Sequence, residues 1–301
     1  MTRQTKTFLL ERFREMGIRP ATRHGQNFLI DLNLVEIIVD AAELTSDDVV
    51  LEVGTGTGSL TALMAARAAA VVTVEIDAHL FELASEQLID LPNVTMLRLD
   101  VLRNKNSIDD RVIDAVGEQL AAATGRRFKL VANLPYNIAT PLLSNLLLSR
   151  HVPHSMTVTI QKELAERITA SPSTKDYSAL SVWIQSQCNA EIVRILPPSV
   201  FWPVPKVSSA ILRVVVDDER RARFADLPFF HQITKALFLH RRKFLRANVV
   251  AALKQHLDKK QIDSLLDEMG FPPDTRAEQL DVETLIQLAD RIRALAPDWK
   301  L

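Results

Sequence analysis

The sequence predicts an α/β fold: a doubly wound sheet with an antiparallel edge strand, followed by a small all-helical C-terminal domain. Three features predict it. Between Val49 and Val216, apolar β-rich runs alternate with stretches of helical period. The last two runs are joined by a proline-rich link (Pro197, Pro198, Pro203, Pro205) rather than by a helix. After the charged run Asp217-Asp218-Glu219-Arg220-Arg221 no strand pattern recurs. Strand–helix–strand alternation implies a mainly parallel sheet with helices on both faces. Two strands with no helix between them fit an antiparallel edge pair.

In chain order, residues 1–17 carry Arg3, Lys6, Arg12 and Arg14 around a brief Phe8-Leu9-Leu10 patch, which fits a short basic amphipathic helix ended by Gly17 and not a secretory signal. Strands are expected over 49–53, 71–76, 94–99, 128–132, 156–160, 191–196 and 209–215, with helical patterns such as 60–67 and 79–88 between the early ones. Residues 228–300 read as three or four helices, broken at Gly270 and at Pro272-Pro273, with Asp281 as the N-cap of the last. One helix is expected over 229–256. The domain boundary is placed between residues 218 and 219: 1–218 as the α/β domain with its basic N-terminal segment, 219–301 as the helical domain.

The totals narrow the function classes. In 301 residues, 47% are hydrophobic and 24% charged, an ordinary soluble globular balance that excludes disordered and collagen-like chains. No apolar run reaches the roughly 18 residues of a membrane span; the longest, residues 60–74, is interrupted by Arg67. Cys188 stands alone, so no disulfide framework or cysteine metal site is expected, only a small buried hydrophobe in a reducing, cytoplasmic compartment. Net charge is −1, from 36 Lys and Arg against 37 Asp and Glu. Nucleic acid is not announced by that sum, though a local patch can still bind phosphate.

The strongest local signal is Leu51-Glu52-Val53-Gly54-Thr55-Gly56-Thr57-Gly58, which follows a strand and opens a helix. Glycines there tighten the turn and let a ligand approach bare backbone. A dinucleotide fingerprint, G-x-G-x-x-G, would need glycine at position 59, where the chain has Ser59. Glu52 beside the loop would repel a pyrophosphate but suits a cofactor carrying a sulfonium and an ammonium. Glu75 ends the second strand, 21 positions after Gly54, where a carboxylate can grip both hydroxyls of a ribose. Asp100 ends the third, placed to accept from an adenine amino group, and Asn133 ends the fourth. Each alone is a strand-terminal turn residue. Together they converge on the crevice where doubly wound sheets bind ligands, and one cleft for an adenosyl group accounts for all of them.

Asn133-Leu134-Pro135-Tyr136 specifies a reaction. An exocyclic adenine amine is a weak nucleophile, because its lone pair is delocalised into the ring. Two acceptors aimed at its N–H groups, the Asn133 side-chain oxygen and the Leu134 carbonyl, would favour pyramidalisation and offset the positive charge that grows on attack. Pro135 stiffens the backbone presenting that carbonyl, and Tyr136 offers a face for the base. Outside this context the tetrapeptide would be a proline turn with a core tyrosine.

These motifs resemble those of the ribosomal RNA adenine N6-dimethyltransferase family. The likeness spans nearly the whole chain: Arg23-His24-Gly25-Gln26-Asn27-Phe28-Leu29, the glycine loop, Val74-Glu75-Ile76-Asp77, Asp100, Asn133 to Asn137, Gln161-Lys162-Glu163, Phe201 to Val207 and Arg241 to Asn248. It implies a Rossmann-like class I methyltransferase sheet that binds S-adenosylmethionine through Asn27, Leu29, Gly54, Gly56, Glu75, Ile76, Asp100, Val101 and Asn133. It implies a target adenine held between Tyr136 and Phe201. It also implies dimethylation of two adjacent adenines near the 3′ end of 16S rRNA in an assembling small subunit, by an enzyme expected to be monomeric and free of metal. Two positions depart from the family pattern: His24 replaces the usual phenylalanine, and Thr55-Gly56 the common Pro-Gly.

On the expected helix 229–256, Lys235, Arg242 and Arg246 fall on one face, widened by Arg241 and Lys243, and the resemblance makes Arg241, Arg242, Lys243 and Arg246 RNA contacts. Arg12, Arg14, Arg19 and Arg23 would form the opposite wall of a groove. Rival readings are a methyltransferase of DNA, protein glutamine or large-subunit rRNA, and a non-catalytic RNA-binding factor that kept the fold. Leu134 argues against glutamine, whose modifying enzymes resemble Asn-Pro-Pro-Tyr there. The intact glycine loop argues against a pure scaffold.

Overall fold

A computed structural model describes Glu11, Phe13 and residues 27–300. The expected N-terminal helix, apart from Glu11 and Phe13, lies outside the described residues, as do Arg12, Arg14, Arg19, Arg23 and His24.

The chain opens with β1 (Phe28–Leu29) and α1 (Leu32–Ala41). Asp31 caps α1 by accepting from the Asn33 N–H, and Leu34, Val35, Ile38 and Val39 form its buried stripe. There follow β2 (Asp48–Val53), α2 (Ser59–Ala65), β3 (Ala70–Glu75), α3 (Ala78–Leu88) and β4 (Val94–Arg98). A small hairpin, β5 (Leu102–Asn104) and β6 (Ser107–Ile108), leads to α4 (Asp110–Ala121), β7 (Arg127–Asn133), α5 (Ala139–Leu146) and β8 (Ser155–Gln161). Next come α6 (Lys162–Ile168), α7 (Ala179–Gln185), β9 (Cys188–Leu196), β10 (Phe201–Trp202) and β11 (Ser209–Val216). The remainder is helical: α8 (Asp218–Ala222), α9 (Leu227–Leu237), α10 (Leu245–Leu253), α11 (Lys259–Glu268) and α12 (Val282–Leu295). Asp281 caps α12, accepting from the Thr284 N–H at 2.8 Å.

Seven strands form the main sheet in the order β4-β3-β2-β7-β8-β11-β9. β2, β3, β4, β7 and β8 pair in parallel, and β11 runs antiparallel to β8. Every residue of β2 and β3 is buried, as parallel strands covered on both faces require. The strand order reverses between β2 and β7, so the chain leaves a crevice at the carboxyl ends of these two strands. At the other end of β7, Lys129 is buried with its Nζ 3.0 Å from Asp48 Oδ2, and it donates to the Ala42 and Glu43 carbonyls at 3.0 and 2.8 Å. This closes the loop before β2 from inside.

The chain divides into two compact units, Met1–Ala165 with Glu191–Val216, and Glu166–Ala190 with Asp217–Leu301. The last crossing, at 216/217, falls two residues before the boundary placed from sequence. Residues 166–190 join the C-terminal helices: the Tyr177 ring lies edge-on to Phe238, with centroids 6.0 Å apart, and Trp183 stacks on His231 at 4.3 Å. The apolar face of α7 announces burial but not which helices bury it.

The single helix expected over 229–256 is two helices, α9 and α10, joined by a turn over 238–244. Leu237 and Leu245 are both buried and eight residues apart, a spacing that keeps helical phase across the break and hides it from a periodicity reading. Four consecutive cationic-type side chains, His240 to Lys243, make a continuous helix costly there. The turn is closed by the Lys243 N–H on the His240 carbonyl at 2.8 Å, and the Asn248 amide donates to the same carbonyl.

Candidate active site

A cleft opens at the carboxyl ends of β2, β3, β4 and β7. Asn27, Gly54, Gly56, Glu75, Ile76, Asp100, Val101 and Asn133, all expected from sequence, line it. Leu29 lines a smaller adjoining cavity behind the glycine loop, together with Glu52, Thr55, Thr57 and Ser59; Phe28, Gly54, Gly56 and Asn133 border both. Sequence reasoning missed Phe28, Leu80, Leu99, Asn137 and Ile138 on the cleft wall. Phe28 was legible as part of the Asn27–Leu29 motif. Leu80 lies in the first turn of α3, which begins directly at the strand ends.

Gly54, Gly56 and Gly58 all have positive φ (85°, 58° and 78°), so the spacing G-x-G-x-G reflects three left-handed residues in one loop. A Cβ on Gly56 would meet the Phe28 ring at 3.4 Å. The Gly56 N–H donates to Glu75 Oε2 and the Asp77 N–H to Oε1, each at 3.0 Å. Glu75 is thereby fixed at the end of β3, and burial pushes its carboxyl above the usual range. Asp77 then caps α3 through the His79 and Leu80 N–H groups. Asp100 is exposed and accepts from the Leu102 N–H at 2.9 Å.

Asn133 pairs with Thr159 of β8 in register. Its amide nitrogen donates to the Asn27 carbonyl at 2.9 Å. That bond fixes the amide's rotation and leaves its oxygen as the acceptor at the cleft. The Leu134 N–H is held by the Thr159 carbonyl at 3.1 Å, so strand β8 also orients the tetrapeptide that follows. Tyr136 is half-buried, its hydroxyl 2.7 Å from Ser209 Oγ of β11.

The expected sandwich of Tyr136 and Phe201 is not what the structure presents. Phe201 is 1% exposed and belongs to the core cluster of Leu34, Ile38 and Ile211, facing Leu29 across the β1–β10 pair. A ring enclosed on every side has no face for a base. Side chains alternate along β10, so the next residue, Trp202, lies on the other side and stacks with Phe13 at 5.3 Å and Phe28 at 6.5 Å.

The basic residues separate into two kinds. Arg241 pairs with Glu278 and donates to the carbonyls of Thr174 and Lys175. Arg246 forms a two-pronged pair with Asp263 at 2.5 and 2.8 Å. Arg242 and Lys243 are exposed in the turn. The break before Leu245 removes the shared face on which Lys235 and Arg246 were expected.

A buried carboxylate at the end of β3, left-handed glycines that leave bare backbone in the loop, the Asp100 carboxylate at the rim and apolar walls fit S-adenosylmethionine. Known proteins agree. The family model for ribosomal RNA adenine dimethylase matches residues 19–293. A curated relative from Geobacillus thermodenitrificans, ribosomal RNA small subunit methyltransferase A, is 38% identical over 272 residues, 90% of each chain. A dimethyladenosine transferase from Plasmodium falciparum shares the fold, with a TM-score of 0.73 at 22% identity over 88% of this chain and 96% of that one. The 23S rRNA methyltransferase ErmE superposes with a TM-score of 0.62 at 26% identity, covering 88% of this chain and 99% of its own. The chain belongs to the ribosomal RNA adenine dimethylase family, S-adenosylmethionine-dependent enzymes that methylate adenines of ribosomal RNA.

Proposed function

We propose that the protein dimethylates the N6 amines of two adjacent adenines near the 3′ end of 16S rRNA, within an assembling small ribosomal subunit. The 16S assignment follows the curated relatives, named for the small subunit. The chemistry rests on one observation: Asn133, anchored by its nitrogen to the Asn27 carbonyl, keeps its oxygen for the amine. Bound in the cleft, S-adenosylmethionine supplies a methyl group on a cationic sulfur. Glu75 holds the ribose, Asp100 the adenine of the cofactor, and Ile76 and Val101 pack its base. Asn133 Oδ1 and the Leu134 carbonyl accept from the target amine as its nitrogen becomes cationic, and Tyr136 supplies the stacking face. The amine's lone pair forms the new N–C bond, the C–S pair stays on sulfur, and the amine proton leaves to solvent.

In this reading 1–165 with 191–216 is the catalytic unit and 166–190 with 217–301 the RNA-binding unit, with Arg242 and Lys243 on phosphates and Arg241 and Arg246 holding the turn and helix that present them. The enzyme acts as a monomer in the cytoplasm. No described helix is long and apolar enough to cross a membrane. The deciding experiment maps labelled methyl groups onto immature small subunits, large subunits and DNA offered in parallel. Label confined to adjacent adenines of the small-subunit RNA is expected; label on the large subunit alone would overturn the 16S assignment.

A further inference from the structure

Ser209 carries a buried hydroxyl that β11 does not need for its pairing, which uses backbone groups alone. The residue opens the strand, is 0% exposed, and is followed by the apolar run Ala210-Ile211-Leu212. A buried hydroxyl needs a partner. Among the described residues its partner is Tyr136, whose own hydroxyl lies 2.7 Å from Ser209 Oγ. The backbone around Ser209 is fixed: Ser209 pairs with Gln161 of β8, and the Ser208 carbonyl accepts from the Lys162 N–H at 3.0 Å. Tyr136, by contrast, stands in the turn between β7 and α5, outside any strand or helix. The same strand β8 holds the Leu134 N–H through the Thr159 carbonyl at 3.1 Å. Through β8, the acceptor at Leu134 and the ring of Tyr136 share one frame.

We propose that Ser209 is a positioning residue for the target base: it pins the Tyr136 ring, and the pinned ring is what carries the second methyl transfer to completion. The inference rests on the reading of Asn133-Leu134-Pro135-Tyr136 as the site of adenine dimethylation. A phenol's hydrogen bond lies near the plane of its ring, because the oxygen is conjugated with it. A fixed partner therefore sets both the direction of the ring axis and the tilt of its faces. The chain after the buried Phe201 thus reaches the target base through Ser209 and not through an aromatic face of its own.

The two transfers lean on that ring unequally. In the first, the amine offers two N–H groups, one each for Asn133 Oδ1 and the Leu134 carbonyl. In each transfer the nitrogen lone pair forms the new N–C bond, the C–S pair stays on sulfur, and one N–H proton leaves to solvent. The second transfer therefore begins with a single N–H, and one of the two acceptors faces a methyl group. Stacking uses the face of the base and does not depend on how many N–H groups remain. The ring carries the larger share of the positioning once half of the polar contacts are gone.

Single-turnover methylation of immature small subunits tests this, with monomethyladenosine and dimethyladenosine separated after digestion to nucleosides. The natural protein should pass through monomethyladenosine without leaving it behind. In Ser209→Ala the second rate should fall relative to the first by about fivefold, the worth of one net hydrogen bond. Monomethyladenosine should then persist, with S-adenosylmethionine affinity as it was. Tyr136→Phe removes the same bond from its other end and leaves β11 intact, so it carries the test even if Ser209→Ala folds poorly. The double variant should be no worse than either single one. Tyrosine isotopically labelled at Cζ reports the bond itself by NMR, because the chain has two tyrosines, Tyr136 and Tyr177. Ser209→Ala should move the Tyr136 resonance and leave that of Tyr177 in place. Equal slowing of both transfers, losses that add in the double variant, or an unmoved Tyr136 resonance overturns the assignment while dimethylation by the natural protein stands. If the natural protein itself forms no dimethyladenosine on small subunits, the dimethylation reading fails and this inference falls with it.

Discussion

In the proposed mechanism Asn133 serves two partners with the two ends of one amide. Its nitrogen is committed to the Asn27 carbonyl, so replacing it by alanine frees the segment before β1 as well as removing the acceptor for the amine. Asn133→Ala should lower single-turnover methylation by about 10² to 10³, the usual loss when a preorganised transition-state acceptor is removed. Tyr136→Ala should lower methylation while S-adenosylmethionine affinity stays nearly unchanged. Tyr136→Phe should be milder, because the ring face does the stacking; what it gives up is the Ser209 hydrogen bond at 2.7 Å, whose net worth is about 1 kcal/mol. Single-turnover rates at saturating RNA and cofactor check the order, and equal damage from Phe and Ala would assign chemistry to the hydroxyl. Glu75→Ala should weaken S-adenosylmethionine in a calorimetric titration; an unchanged affinity would remove Glu75 from the ribose. Most of these residues were legible in the sequence because each sits where a strand ends, and strand ends are fixed by runs of β-branched residues. The burial of Phe201 was not legible. Whether a ring in a proline-rich link faces core or cleft depends on pairing with Leu29, more than 170 residues away in the sequence.

The turn over 238–244 changes what the basic run can do. On a continuous helix all four cations would stand in solvent together. In the turn, Arg241 and Arg246 are spent on Glu278 and Asp263, and Arg242 and Lys243 remain exposed. Replacing Arg242 and Lys243 by alanine should reduce the slope of log affinity for RNA against log salt by about 0.7 to 0.9 per lost phosphate contact, with cofactor affinity untouched. Arg241→Ala should instead lower the melting temperature and leave that slope as it was, since it unties the turn from the Thr174–Lys175 segment and Glu278. Filter binding over a salt series, paired with thermal unfolding, separates the two behaviours. If Arg241→Ala flattens the slope as much as the double replacement does, the strut assignment is wrong. The break escaped the sequence because no glycine or proline marks it. Its causes are charge crowding and a carbonyl bonded by the distant Asn248, while the apolar spacing across it stays in phase.

At the scale of the molecule, the sheet is held at the end opposite the cleft by Asp48, which pairs with buried Lys129 and with the more exposed Arg127. Lys129 and Asp48 lie on adjacent parallel strands, β7 and β2, and their side chains are 5% and 0% exposed. Lys129→Ala would leave two loop carbonyls unpaired and the Asp48 carboxylate held by Arg127, 3.3 Å away, and by the Thr45 N–H and hydroxyl. The loss should be about 1 to 3 kcal/mol in denaturant unfolding, the usual cost of leaving buried hydrogen-bonding groups unpaired. Lys129→Ala with Asp48→Asn should recover part of it, and a double variant no better than the single one would mean that the lysine acts through the Ala42 and Glu43 carbonyls. The α/β class, the strand order's consequence for the cleft and the antiparallel edge were readable from alternation and from the helix-free proline link. The assignment of 166–190 was not. An amphipathic helix shows that it needs a partner, and only the folded chain shows that Phe238 and His231 provide it.

That assignment has a consequence in time. A ribosome delivers the chain from the N-terminus, so β8 emerges, then 166–190, then the edge strands β9 and β11 that complete the sheet. The helices that bury Tyr177 and Trp183, both 0–1% exposed in the finished fold, come last. For the interval in which residues 191–230 are being made, at about 5 to 20 residues per second, these two aromatic side chains wait for seconds without the surface they are shaped for. They do so on a loop already tethered at one end to a nearly finished sheet. The protein's most vulnerable moment is therefore set by its connectivity, and it falls late in synthesis, when the cleft is already assembled.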